Sequence, residues 1–280
     1  MAGKRRAREK AGGRWAVVTV AAVDVRKRPD HRAELGSQLL AGELARIERR
    51  SPDGQWWRVR GPDGYPGWAR AWGLAAWSER EAAAWRRRAK ARVRVPYTVV
   101  RSRPGRGAIM SPAYLHSRFE PLETHGAWRA VRLPGGGRGW IERRHLSLGR
   151  PRGGSLRERV GQLLGVPYLW GGRTAMGLDC SGFVQMVLMR GDMTLPRDAH
   201  DQWLSSRKLA RGVSPRAGDL VFFGRGRGRV GHVGILLDRD TYAHARGSVR
   251  VNRLDPGNRL YDKELSDTIR GFGRPRRGPL

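Results

Sequence analysis

A chain of 280 residues, 39% of them apolar, is long enough for one large domain or two to three small ones, each with its own core, which excludes a disordered protein. Its single cysteine excludes an internal disulfide, and no Cys/His clustering suggests zinc, so neither a metal nor a cofactor is expected. The formal charge of +31 is spread as arginine in short groups. Such a surface attracts polyanions without sequence selectivity, whether nucleic acid, teichoic-type polymer or acidic lipid. No C2H2 finger or RNP box marks a nucleic-acid reader, and solvated arginine from a GC-rich genome is the plainer account.

No apolar run approaches the roughly 20 residues of a membrane span, so a soluble protein is expected. Lys4, Arg5, Arg6, Arg8 and Lys10 ahead of apolar Trp15 to Val23 imitate the basic and apolar parts of a leader peptide. That run is short, contains Thr19 and passes into Asp24, so it reads as a first strand behind a basic tail, residues 1–13. The weak leader signal favours a cytoplasmic location, with export to the periplasm or cell wall as the alternative.

From Trp15, short β-like runs divided by Arg28-Pro29-Asp30, Ala41-Gly42, Asp53-Gly54 and Asp63-Gly64 predict a small barrel over 14–76. Its landmarks then return. Val25 to Pro29 is echoed by Val100 to Pro104, Trp57-Arg58-Val59-Arg60 by Trp128 to Arg132, and Gly67-Trp68 by Gly139-Trp140. The ordered matches predict a repeat of roughly 70 residues and a second barrel over 93–148. Trp56, Trp57, Trp68, Trp128 and Trp140 read as barrel core, whereas Tyr65, at a tight turn, is placed to face a neighbouring groove. Ser78-Glu79-Arg80-Glu81 has the form of a capping box and opens a helical connector over 77–92.

A Gly/Pro/Arg-rich stretch, 149–154, leads into a third domain, 149–280. Ser155 to Glu158 is another capping box, after which Leu156, Val160, Leu163 and Leu164 predict one helical face, stopped by Gly165 and Pro167. Cys180 follows a Gly-rich loop and precedes Phe183, Val184, Val187 and Leu188 at helical spacing, with Gly191 placed as the stop. Leu195 to Asp198 opens a short helix through Gln202 and Trp203. Segments 218–223, 230–237, 241–245 and 248–254 then read as strands. Helices followed by an antiparallel meander make an α+β domain.

A thiol at a helix N-terminus meets unpaired N–H groups and the positive end of the dipole, both of which favour the nucleophilic thiolate. A small buried hydrophobe is the competing reading of a lone cysteine. A nucleophilic thiol needs a base, and the base a third group to fix its tautomer. His232 and His244 fall in consecutive strands around an Asp238-Arg239-Asp240 turn. An odd loop sets both rings on one sheet face and an even loop separates them. His200, in a polar helical stretch, reads as solvated.

Tyr168-x-Trp170-Gly171-Gly172, Asp179-Cys180-Ser181-Gly182-Phe183, Leu195-Pro196-Arg197, Gly218 to Phe223, His232-Val233-Gly234-Ile235 and Ala243-His244-Ala245 together resemble the NlpC/p60 cysteine endopeptidases, over about residues 155–275. The two upstream barrels resemble bacterial SH3-like domains, so the whole chain is similar to the dipeptidyl-peptidase VI branch of that family. The resemblance implies a papain-like α+β catalytic domain behind two small SH3-like β-barrels. It also implies hydrolysis of the γ-D-glutamyl-L-diamino acid bond, with meso-diaminopimelate or Lys, in peptidoglycan stem peptides or free murein peptides. In that scheme Cys180 is the nucleophile, His232 the base and later acid, and His244 the residue that orients the base. Tyr168 sits by the oxyanion, and Asp179, Ser181 and Arg197 shape the γ-D-Glu subsite, with Tyr65 as a further candidate for substrate contact.

Two departures are visible. Ala199 stands where the branch commonly has a serine, and Pro66 where it has an acidic residue for the free amine of L-Ala, which leaves Asp179 alone to receive that amine. The alternatives are a non-catalytic wall-binding or polyanion-binding protein, and an amidase or acyltransferase on the same fold.

Overall fold

In the computed structural model the described residues are 13–149, 154–189, 195–226 and 228–276. The basic tail up to residue 12 and the expected stop at Gly191 lie outside them. Strands β1 (Trp15–Val18), β2 (Ala22–Arg26), β3 (Leu35–Leu40), β4 (Leu44–Arg50), β5 (Trp56–Arg60), β6 (Pro66–Arg70) and β7 (Leu74–Trp77) pair antiparallel in the order β3-β2-β6-β5-β4-β1-β7. A second set follows: β8 (Ala91–Val93), β9 (Tyr97–Arg101), β10 (Ile109–Tyr114), β11 (Arg118–His125), β12 (Trp128–Arg132), β13 (Arg138–Glu142) and β14 (Leu146–Leu148). Its order, β10-β9-β13-β12-β11-β8-β14, is the first with every strand displaced by seven. The sequence repeat is therefore a structural one, two SH3-like barrels.

Alternation explains the barrel cores. In β2 the odd positions Val23 and Val25 are buried between half-exposed Ala22, Asp24 and Arg26. Trp56, Trp57, Trp68 and Trp140 are buried and Trp128 is half-buried. Part of the arginine excess is spent on them, since Arg70 lies 5.3 Å from the Trp56 ring, Arg49 4.9 Å from Trp68 and Arg138 4.7 Å from Trp140. Helix α1 (Glu79–Arg88) joins the barrels behind a capping box on Ser78 and Glu81, and its buried Trp85 donates Nε1–H to the Gly42 carbonyl at 2.9 Å. Gly42, at φ +76°, lies against the backbone of Arg118, and any side chain there would strike the Arg118 carbonyl.

The third unit contains α2 (Leu156–Gly161), β15 (Arg173–Thr174), β16 (Gly177–Leu178), α3 (Cys180–Leu188) and α4 (Ala199–Ser205). Then come β17 (Arg207–Lys208), β18 (Leu220–Phe223), β19 (His232–Leu236), β20 (Thr241–Arg246), β21 (Ser248–Arg253), α5 (Lys263–Ser266) and β22 (Ile269–Arg274). The sheet runs β17-β22-β18-β19-β20-β21, and α3 packs through Phe183, Val184 and Val187 on the face that carries Val233, Ile235, Ala243 and Ala245.

Two expectations change. α2 stops at Gly161 and leaves Leu164 exposed, because Gly165 turns at φ +81° and donates its N–H to the Val249 carbonyl, pulling the chain toward β21. The strands are also no simple meander: the last one, β22, inserts between β17 and β18.

The first barrel is fastened to this unit by buried polar contacts. Arg173, fully buried, pairs with Glu43 at 3.2 Å and donates to the Gln38 carbonyl at 2.5 Å. Gln185 of α3 reaches Asp63 at 3.1 Å. From the second barrel, His116 Nε2 lies 2.8 Å from the Met186 carbonyl in α3.

Candidate active site

Cys180 is the first residue of α3, and Asp179 is its N-cap, accepting from the Gly182 N–H at 2.7 Å. Gly182 has no room for a side chain: a Cβ there would run into the Gly172 carbonyl of the glycine-rich loop. The close packing of that loop on the helix start is what sets the thiol in place. Burial and the neighbouring Asp179 carboxylate push the Cys180 thiol up to about 12, outweighing the backbone N–H groups of Val233 and Ser181 and the Arg197 cation. The expected thiolate is thus a neutral thiol at rest. The helix terminus helps the anion, but a residue 6% exposed loses more by desolvation.

His232 opens β19 and His244 lies in β20, fully buried. Ile235 pairs with Ala243 and Leu236 with Tyr242, so Asp238, Arg239 and Asp240 form a three-residue loop closed by the Leu237 N–H to Thr241 carbonyl bond. An odd loop puts both rings on one face, and His232 Nε2 lies 2.8 Å from His244 Nδ1. On the far side, His244 Nε2 is 3.0 Å from Asn252 Oδ1 in β21. Burial holds both imidazoles below the ordinary histidine range, and for His232 the neighbouring His244 and Arg246 add to it. Cys180 and His232 share no hydrogen bond; the thiol faces the backbone N–H of Val233, the residue that follows His232.

Asp179 has little left to offer a ligand. Its Oδ1 accepts from Gly182 N–H, from Arg197 Nη1 at 2.9 Å and from Ser181 Oγ at 3.3 Å; its Oδ2 accepts from Gly171 N–H at 2.9 Å and from Arg197 Nη2 at 2.6 Å. Arg197 is 2% exposed and donates also to Ser181 Oγ and to Ser37 Oγ of the first barrel. It is an internal strut joining barrel, N-cap and helix. The expectation that Asp179 alone receives a substrate amine is corrected on this ground.

A cleft of about 260 Å³ opens over Cys180, with Tyr168, Asp179 and Ser181 on one side and Lys27, Glu34 and Tyr65 of the first barrel on the other. Tyr65 is half-buried and accepts from Lys27 Nζ at 2.5 Å. Burial, with Cys180 and Asp179 nearby, raises the Tyr168 hydroxyl above the ordinary tyrosine range, so it remains a donor. His200, expected to be solvated, is half-buried in this cleft and accepts from the Val230 N–H at 3.3 Å. Ala199 lines the cleft, while Pro66 does not. A second cavity of about 490 Å³ lies on the His232 side, with Tyr168, Arg229 and Gly231 shared between the two. Among the described residues no three His, Cys, Asp or Glu side chains gather as a metal would require.

Sequence reasoning missed Asn252, Lys27, Glu34 and Asp198. Asn252 carried a weak signal, a polar residue within a strand. The barrel residues carried none, because they join the cleft only through docking.

Comparison with known proteins matches two parts of the chain. Residues 165–270 match the NlpC/P60 family and residues 25–73 the bacterial dipeptidyl-peptidase SH3 domain. A gamma-D-glutamyl-L-lysine dipeptidyl-peptidase of Bacillus subtilis (strain 168) is 36% identical over 115 residues, 39% of this chain and 38% of that protein. Dipeptidyl-peptidase 6 of Lysinibacillus sphaericus is 28% identical over 179 residues, 59% and 63% of the two chains. The matched part is thus under two thirds of either relative's length. The crystal structure of an NlpC/P60 family protein from Bacillus cereus ATCC 10987 superposes with a TM-score of 0.78 at 21% identity, covering 93% of this chain and 99% of that one, a likeness of fold. The lone cysteine at a helix N-terminus and the two histidines joined across a hairpin thus fall in an NlpC/P60 domain over residues 165–270, and the barrel docked beside them carries a bacterial dipeptidyl-peptidase SH3 domain over residues 25–73.

Proposed function

We propose that the protein hydrolyses the γ-D-glutamyl-L-diamino acid bond of bacterial peptidoglycan peptides through a thioester at Cys180. The observation that carries this reading is the cleft itself, with the thiol at its base, the His232 side opening onto a second cavity, and the first barrel walling the other side. In the proposed cycle Sγ attacks the γ-glutamyl carbonyl carbon as its proton passes to His232. Tyr168 O–H and the Cys180 backbone N–H donate to the developing oxyanion. The C–N bond then breaks, the leaving amine takes the proton from His232, and a water deprotonated by the same ring releases the acid and restores the thiol.

The high resting position of the thiol fits a nucleophile ionised only when substrate and proton transfer coincide. Since Asp179 is committed internally, a free N-terminal ammonium would be received by Glu34 or Asp198, both in the cleft. The leaving group lies toward His232, where Arg225 and Arg229 line the second cavity and suit the extra carboxylate of diaminopimelate better than the bare ammonium of lysine.

Mass spectrometry of products from L-Ala-γ-D-Glu-meso-diaminopimelate and its lysine counterpart, with free and acylated N-termini, tests the bond and both subsites. Release of L-Ala-D-Glu that stops with Cys180→Ala supports the reading. Unchanged turnover by that variant, or an intact peptide with the wild type, removes it.

A further inference from the structure

The hydrogen-bond chain that ends at His232 begins at a backbone carbonyl, and that end fixes its direction. The Leu260 carbonyl can only accept, and it already accepts from the Arg253 N–H at 3.1 Å and from Asn252 Nδ2 at 2.8 Å. The amide of Asn252 is therefore turned with its oxygen toward His244. Oδ1 accepts, so His244 Nε2, 3.0 Å away, carries a proton. A neutral imidazole has one N–H, which leaves His244 Nδ1 bare. His232 Nε2, 2.8 Å from it, must then be the donor, and the only bare nitrogen of His232 is Nδ1.

We propose that Asn252 is a positioning residue that sets the tautomer of His232 through His244, keeping Nδ1 free to take the proton of Cys180. Without it, His244 can carry its proton on Nδ1 and donate toward His232, which drives the His232 proton onto Nδ1, where it blocks the transfer. The inner links are secluded: His244 is fully buried and Asn252 is 8% exposed, so water does not readily replace the amide. The part about catalysis rests on the proposed function; the tautomer assignment does not.

The experiment pairs ring-nitrogen NMR of the histidine-labelled full chain with steady-state kinetics. Wild-type His232 is expected to carry its proton on Nε2. Asn252→Leu should shift it to Nδ1 in part or whole and lower kcat about 10²-fold with KM altered less than threefold, since a wrong tautomer in a serine triad costs about 10⁴. Asn252→Asp, protonated on the oxygen that faces the Leu260 carbonyl, keeps a donor there and an acceptor toward His244 and should retain the Nε2–H form and most of kcat at a pH where that acid is neutral. A wild-type His232 protonated on Nδ1 overturns the assignment even if neither variant folds. Asn252→Leu with unchanged tautomer and kcat overturns the positioning role of Asn252. If the wild type cleaves no peptide but shows Nε2–H, the functional reading fails and the tautomer assignment stands.

Discussion

Replacing Arg197 by Met keeps the length of the side chain and removes its charge, which strands the Asp179 carboxylate at 7% exposure with only the Gly171 and Gly182 N–H groups and Ser181 for company. Four charge-assisted contacts disappear, two to Asp179, one to Ser181 and one to Ser37. Breaking a buried pair by removing one partner costs about 3–5 kcal/mol, chiefly because the remaining charge is unpaired. The stranded charge is also the N-cap of α3, so the loss concentrates at the cysteine. Urea unfolding followed by tryptophan fluorescence of the wild type, Arg197→Met, Asp179→Asn and the double variant reads this as a cycle. The double variant should be more stable than Arg197→Met by about 2 kcal/mol or more, since a neutral amide in the same place removes the stranded charge. If the double variant is as unstable as the single one, the loss comes from packing or from the barrel contact and the electrostatic reasoning is refuted.

Two other expectations concern protons. Burial holds His116 down to about 4, against about 6.5 for a free ring, so the unfolded chain binds its proton first as pH falls. Its contribution is complete above about pH 6.5 and is lost between there and about pH 4, at most about 3 kcal/mol at 1.36 kcal/mol per pH unit. Buried His244 and half-buried His232, both held below the ordinary histidine range, act in the same direction. Unfolding curves of wild type and His116→Asn, a residue that accepts the positive φ at this position, should therefore differ in slope across that window; parallel profiles would show that His116 is not a buried neutral ring. For Cys180, raised to about 12, alkylation by iodoacetamide without substrate should be slow at pH 7 and still rising beyond pH 9. A plateau near pH 8 would mean that the resting thiol is activated after all.

Much of the architecture was legible because it is local. The paired barrels could be read from the recurrence of Trp57 and Trp128 and of Gly67-Trp68 and Gly139-Trp140, since each barrel repeats the same turns and core positions. Cys180 at a helix start, and His232 and His244 in consecutive strands, follow from helical spacing and strand patterning. The face shared by the two rings depended on loop parity, a question that sequence could pose and that the three-residue turn answered. The helix after Ser155 is shorter than its apolar spacing suggests because a pairing of Gly165 with distant β21 ends it.

Tertiary structure alone decided what depends on distance through space. Lys27, Glu34 and Ser37 lie more than 140 residues before Cys180 and approach it only because the first barrel docks through Arg173, Glu43 and Gln38. Arg197 looked like a substrate contact and is an interior strut, since its guanidinium is enclosed by Asp179, Ser181 and Ser37. The dipole at a helix terminus can be read from a sequence, but the desolvation that opposes it is set by how closely the rest of the molecule packs around the sulfur. Asn252 becomes meaningful only when its amide is seen between Leu260 and His244, where an acceptor-only carbonyl dictates which way each proton points.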